Sequence, residues 1–179
     1  NEIQNISKSK AVVGVCPITE ANLGDGIFEG RKLILQGGRY GIGSDSNIRI
    51  ALTEELRFLE YCQRLIGKER NVMRKNSGSI GRAIYNKTLD GGAQALGRKS
   101  GVIKPGYWAD LVSLDAEALN FWESNDDELL DRWIFTSDDT LVCEVWSAGR
   151  QMVVHGRHVH HKEIEQCYRS VISKIREKI

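Results

Sequence analysis

The apolar positions of this chain change period along its length, and each change marks an element. Residues 11–16, AVVGVC, form an unbroken valine-rich run closed by Pro17, the pattern of a strand buried on both faces in a parallel sheet. ITEANLGDGIFEG reads as a glycine-bearing loop, RKLILQ as a helical turn, and residues 40–43 as a second short strand. A helix follows. Thr53 is placed to cap it, and Glu54 and Glu55 sit in its first turn, where the helix dipole favours negative charge. Leu56, Leu59, Cys62, Leu65 and Ile66 then recur at helical spacing, and Gly67 ends the element. Strand, polar loop and capped helix, in that order, make the βα half of an α/β unit.

A second helix is expected over residues 79–96, broken at Gly91 and Gly92. Val102 and Ile103 precede a Pro105-Gly106 turn, and residues 109–114, ADLVSL, read as a strand. Residues 115–139 are polar and aromatic, an irregular connection by pattern. LVCEVWSAGRQMVVHGRHV has the form of a meander turning at Ala148-Gly149 and His155-Gly156. Ile164, Cys167, Val171, Ile175 and Ile179 give a terminal helix one apolar face. Internal repeats and low-complexity segments are absent.

Composition narrows the function classes. With 179 residues, 41% hydrophobic, 27% charged and a net charge of +1, the chain suits one globular domain or part of a larger one. It has no basic stripe for nucleic acid or an anionic membrane surface, and no apolar run of the roughly 20 residues a membrane helix needs. Cys16, Cys62, Cys143 and Cys167 show neither CxxC spacing nor a small disulfide framework, so a reduced, cytoplasmic setting is expected.

One polar break interrupts the strand pattern. RYGIGSDSN, residues 39–47, runs from apolar and small residues into Asp45, Ser46 and Asn47. Aspartate is a poor strand residue and is costly to bury without a partner. Asp45 therefore either starts a turn or faces a site, since catalytic groups of parallel α/β barrels sit where strands end. His155, His158, His160 and His161 crowd a hairpin turn and a helix start, which reads as a solvated edge rather than a metal site.

VCPITEANLGDGIFEG, GRYGIGSDSN and EELRFLEYCQRL together resemble the C-terminal part of the amidohydrolase superfamily, and within it the iminohydrolases of N-formimidoyl-L-glutamate. GGAQALGRKSGVIKPGYWADLVSLD is similar to the superfamily's passage from barrel to small β-sandwich, so the resemblance spans about residues 11–157. Related purine, cytosine and triazine deaminases tend to carry CPxSN where this chain has Thr19 and Glu20. The resemblance implies an α/β fold: the last two strands of a metal-dependent (β/α)8 TIM barrel over residues 1–100, part of the β-sandwich over 101–160, and a C-terminal helix over 161–179. It implies a hydrolase of C–N bonds, releasing ammonia from N-formimidoyl-L-glutamate in histidine degradation. A deaminase of heterocycles and a non-catalytic assembly module are the alternatives.

Under that resemblance Asp45 becomes the eighth-strand aspartate, at once a ligand to one divalent metal ion, zinc foremost, and a proton shuttle. Glu20 and Asn22 fall in the substrate-facing loop after the seventh strand, where a carboxylate suits a cationic formimidoyl group; turn architecture explains them equally well. Ser46 either orients Asp45, touches substrate or is a surface hydroxyl, and Asn47 departs from the histidine expected in close relatives. The family's metal centre also needs histidines from earlier strands, and this chain has none before His155. With Asn1 opening on NEIQNISKSKA, the expectation is a C-terminal segment of a longer homo-oligomeric enzyme acting on a small molecule. By itself the segment should hold no catalytic metal and, with a strand edge left open, should self-associate or rearrange.

Overall fold

The computed structural model of the chain describes residues 2–75 and 77–178. Strand β1 (Val12–Val15) pairs in parallel with β2 (Arg39–Ile42), Val12 opposite Arg39 and Val15 opposite Ile42. A parallel pair requires a crossover, here built from α2 (Pro17–Leu23) and α3 (Gly30–Leu35). Helix α1 (Glu2–Ser9) precedes β1 and buries Ile3. After β2 come α4 (Leu52–Gly67) and α5 (Ile80–Leu96). The remainder runs β3 (Leu111–Leu114), α6 (Glu128–Thr136), β4 (Val142–Ser147), β5 (Arg150–Val154), β6 (Arg157–His158) and α7 (His161–Arg176). Strands β3 to β6 form one antiparallel sheet in sequential order, in which β4 to β6 are the expected meander.

The core lies between the parallel strands and their helices. Val15, Leu33, Tyr40, Leu56, Met73, Ile84 and Ile134 form one buried cluster there. Helix α6 packs on α4 and α5, and Arg57 of α4 fastens it by donating to the carbonyls of Ile134 and Ser137.

Several expectations are corrected. The supposed loop after β1 begins with a helix, α2: Pro17 at its first position has the required φ, and Gly24 in the left-handed conformation ends it. Thr53 does not cap α4; Ala51 holds that position, and Thr53 is buried in the first turn, where its amide donates to Asp139 Oδ1 at 3.3 Å. The inward face of α4 also differs. Leu56 and Leu59 are buried with Glu55, Glu60 and Gln63, whereas Leu65 and Ile66 are exposed. Glu60 belongs inside because its carboxylate accepts the amides of Val72 and Met73 at 2.9 Å each and Arg64 Nε at 2.7 Å.

Gly91 and Gly92 do not break α5. Gly91 lets the helix touch β2, since a Cβ there would fall 2.5 Å from the Tyr40 carbonyl carbon. Residues 115–139 are not wholly irregular, because burial of Trp133 and Ile134 stabilises α6. Strand β1 is not covered on both faces: Val15 is buried, Val12 and Val13 are half-buried and Gly14 is exposed. The region 101–160, expected to be part of a β-sandwich, carries one four-stranded sheet. Helix α7 forms as expected with its stripe of Ile164, Val171 and Ile175 exposed; Ile179 lies outside the described residues.

Candidate functional site

The two parallel strands deliver their C-terminal ends side by side. The Gly43 amide donates to the Val15 carbonyl at 3.1 Å, so Cys16 and Gly43 leave the sheet together. Past β1 the chain turns at once into α2, whose start is held from two directions. Glu20 Oε1 accepts the Cys16 amide at 2.7 Å, and Glu55 Oε2, reaching up from α4, accepts the Ile18 amide at 2.9 Å.

Past β2 the chain presents Asp45 in the left-handed conformation at φ 54°, a state that aspartate tolerates better than most residues. Asp45 is exposed, at the C-terminal end of a parallel strand, where barrel enzymes carry their chemistry. Its neighbours Ser44 and Ser46 both bind Thr19 of α2. Thr19 Oγ1 donates to the Ser44 carbonyl at 2.6 Å, lies 2.9 Å from Ser46 Oγ, and accepts the Ser46 amide at 3.2 Å.

The electrostatics are acidic. Burial pushes the Cys16 thiol up from its ordinary pKa, and the negative charges of Glu20, Asp45 and Glu55 add to the shift; the Gly43 backbone opposes it. Burial also raises Glu55, with Glu20 and Glu54 contributing, against the stabilising Ile18 amide. Glu55 Oε1 is buried with no hydrogen-bond partner among the described residues. A cavity of ≈ 50 Å³ lies beside α2, with Glu20, Phe28, Phe58 and Cys62 among its walls.

Of the residues singled out from sequence, Asp45, Ser46 and Glu20 are brought to this strand-end cluster. Asn22 lies exposed on α2. Glu20 is partly engaged in holding its own helix start. Thr19, Cys16 and Glu55 belong to the cluster and were not singled out as site residues; the signal for Thr19 was its place two residues after Pro17 on a helix not expected there. The histidines lie elsewhere, from the β5–β6 turn to the start of α7: His155 is near Glu144, His160 near Glu163 and His161 near Glu165, whereas His158 of β6 accepts the His160 amide.

An exposed carboxylate matches the donor chemistry of a divalent ion, but such sites take three or more protein ligands. Among the described residues no three of His, Cys, Asp or Glu are placed to hold one. Asp45 offers one carboxylate of the kind such an ion takes.

Comparison with known proteins gives concordant results. Residues 1–152 match the model of the amidohydrolase family. The chain is 43% identical over 175 residues to formimidoylglutamate deiminase of Pseudomonas aeruginosa, covering 97% of this chain and 39% of that protein. It is 28% identical over 163 residues to a probable guanine deaminase of Schizosaccharomyces pombe, covering 83% of this chain and 30% of that one. The crystal structure of an amidohydrolase from Brucella melitensis superposes with a TM-score of 0.89 at 42% identity, over 97% of this chain and 38% of its own. A zinc-bound adenosine deaminase from Xanthomonas campestris, 22% identical, shares the fold with a TM-score of 0.85, over 98% of this chain and 40% of its own. The chain thus spans well under half the length of the relatives it matches. Its parallel strands and helices are a partial (β/α)8-barrel segment. The chain belongs to the amidohydrolase family.

Proposed function

We propose that the whole protein carrying this chain hydrolyses N-formimidoyl-L-glutamate to N-formyl-L-glutamate and ammonia. The observation that carries this reading is the 43% identity across 97% of the chain with a formimidoylglutamate deiminase, against 28% for the guanine deaminase. In the reaction, water oxygen bonds to the formimidoyl carbon, the bond to the terminal nitrogen breaks, and that nitrogen leaves as ammonia with the proton it needs.

Asp45 has two tasks under this reading. It contributes one ligand to a divalent ion, zinc foremost, which when bound brings the pKa of water towards ~7. Its carboxylate also accepts the proton lost by the attacking water and passes it to the departing nitrogen, a transfer that needs an accessible group at fixed distance. The exposed strand-end position of Asp45 supports both. Glu20 stands one strand away, with Oε1 on the Cys16 amide, and offers negative charge to a cationic formimidoyl group. Ser46 is a candidate substrate contact beside Asp45, and Asn22 one from the outer turn of α2. The same reading places the reaction in histidine degradation, in the cytoplasm of a cell and in a homo-oligomer. The thiols of Cys16, Cys62, Cys143 and Cys167, all free, agree with a reducing compartment.

Ammonia release by the whole protein, measured on N-formimidoyl-L-glutamate and in parallel on guanine and cytosine, tests the reading. Turnover of the first alone supports it. Turnover of a heterocycle, with none of the first, replaces it with the heterocycle deaminase.

A further inference from the structure

We propose that Thr19 is a positioning residue for Asp45, a single hydroxyl on α2 that clamps the backbone on both sides of the reacting carboxylate. The inference rests on the role given to Asp45 above. Thr19 is 5% exposed, so its hydroxyl cannot satisfy itself with bulk water and must find partners inside the protein. A threonine hydroxyl has one proton and two lone pairs. All three are used within one short stretch: the proton on the Ser44 carbonyl at 2.6 Å, the lone pairs on the Ser46 amide at 3.2 Å and the Ser46 hydroxyl at 2.9 Å. The residue between those partners is Asp45, held at φ 54°, a conformation rare for a side chain with a Cβ and kept only where surrounding contacts fix it.

The clamp is itself fixed. Pro17 presets the first turn of α2, and the carboxylates of Glu20 and Glu55 hold the amides of Cys16 and Ile18 at 2.7 and 2.9 Å. Thr19 therefore stands on a braced helix at the end of one strand and reaches across to the end of the next. A loop residue that must meet both an ion and a moving proton tolerates little displacement, and an error near 1 Å costs about 100-fold in rate. Serine carries the same donor and lone pairs as threonine; valine has the same shape and none of them.

Thr19→Val and Thr19→Ser, made in the whole protein, test this. Thr19→Val is expected to lower kcat roughly 10- to 100-fold with KM within about twofold, and to speed hydrogen exchange of the Ser46 amide while the amides of Tyr40, Gly41 and Ile42 keep their protection. Thr19→Ser is expected to restore kcat and Ser46 protection together. If Thr19→Val does not fold, Thr19→Ala takes its place, because the smaller side chain leaves room for water at the Ser44 carbonyl. Wild-type kcat in the valine or alanine variant overturns the proposal, and so does a fall in kcat with Ser46 protection unchanged. The exchange readout needs no substrate. Should the wild-type protein fail to turn over N-formimidoyl-L-glutamate, the function above is wrong, whereas unchanged Ser46 exchange in Thr19→Val refutes the clamp itself.

Discussion

Replacing Gly91 by alanine adds one methyl group at the contact between α5 and β2, and the structure predicts that the chain cannot absorb it. The new Cβ would lie 2.5 Å from the Tyr40 carbonyl carbon, closer still to its oxygen, and 3.1 Å from the Gly41 nitrogen. All three are backbone atoms, so no side chain can rotate away. Helix α5 or strand β2 must retreat instead, opening space around the fully buried Tyr40 and Ile84. Overpacking typically costs 1–3 kcal/mol, and a backbone-on-backbone clash belongs at about the top of that range. Alanine returns about 1 kcal/mol of helix propensity over glycine, which leaves a net loss of about 2 kcal/mol. For a domain of this size that is a fall in Tm of roughly 4–8 °C. Gly92 is the internal control. Among the described residues nothing lies within 4 Å of a Cβ at Gly92, so Gly92→Ala keeps the propensity gain of up to ~1 kcal/mol with no clash. Urea unfolding followed by far-UV circular dichroism, with the slope m checked for constancy, reads both variants. Equal stability of Gly91→Ala and the parent chain, or an equal loss at Gly92, would refute the packing described here.

Glu60→Ala orphans the amides of Val72 and Met73 and frees Arg64, so it should lower urea-derived stability by about 3 kcal/mol, and a loss under 0.5 kcal/mol would contradict the buried network. The Glu55 carboxyl is raised by burial above its ordinary value of 4.5; the stability it contributes is therefore full below that value and is lost as pH rises through the raised pKa. Thermal unfolding from acid to neutral pH should accordingly show a smaller decline in Glu55→Gln than in the parent, and parallel curves would refute the assignment. The Cys16 thiol, raised by burial and by Glu20, should react with iodoacetamide more slowly than exposed Cys167, with peptide mass spectrometry giving the order and faster labelling of Cys16 contradicting it.

The sequence displayed the parts of this fold whose signals are local. AVVGVC and RYGIG are short apolar runs next to Pro17 and Ser44, and they became the paired strands. The turns at Ala148-Gly149 and His155-Gly156 announced the meander; Ala148, Gly149, His155 and Gly156 all have positive φ. What the pattern hid depends on distant contacts. Gly91 looks like a helix breaker until β2 is laid against it. Glu60 and Gln63 look like a solvent face until the loops carrying Val72, Met73 and Phe28 bring amides and a carbonyl for them to bind. Asn22, Gly24 and Asp25 carry turn chemistry and concealed α2, which Pro17 and the Glu20 side chain stabilise from its other end.

The site divides along the same line. Asp45 stood out as an acid breaking a strand pattern, open to a turn or a site, and only the family resemblance gave it a role. Thr19 was not, because its partners Ser44 and Ser46 lie 25 and 27 positions away and meet it only once β1 and β2 pair in register. The acidic surroundings of Cys16 likewise arise from three segments, the start of α2, the end of β2 and the first turn of α4.

The central claim is that Asp45 carries the chemistry at the end of β2, and the most direct measurement is the kcat of Asp45→Asn in the whole protein acting on N-formimidoyl-L-glutamate, with bound metal and thermal stability determined on the same sample. The amide keeps the shape of the side chain and its exposed position, so the fold should survive with Tm within a few degrees of the parent. It cannot accept and return the proton and is a poorer donor to a cation, so kcat should fall by about 100- to 10,000-fold and bound metal should drop. Parent-like kcat with full metal content in Asp45→Asn would contradict the account.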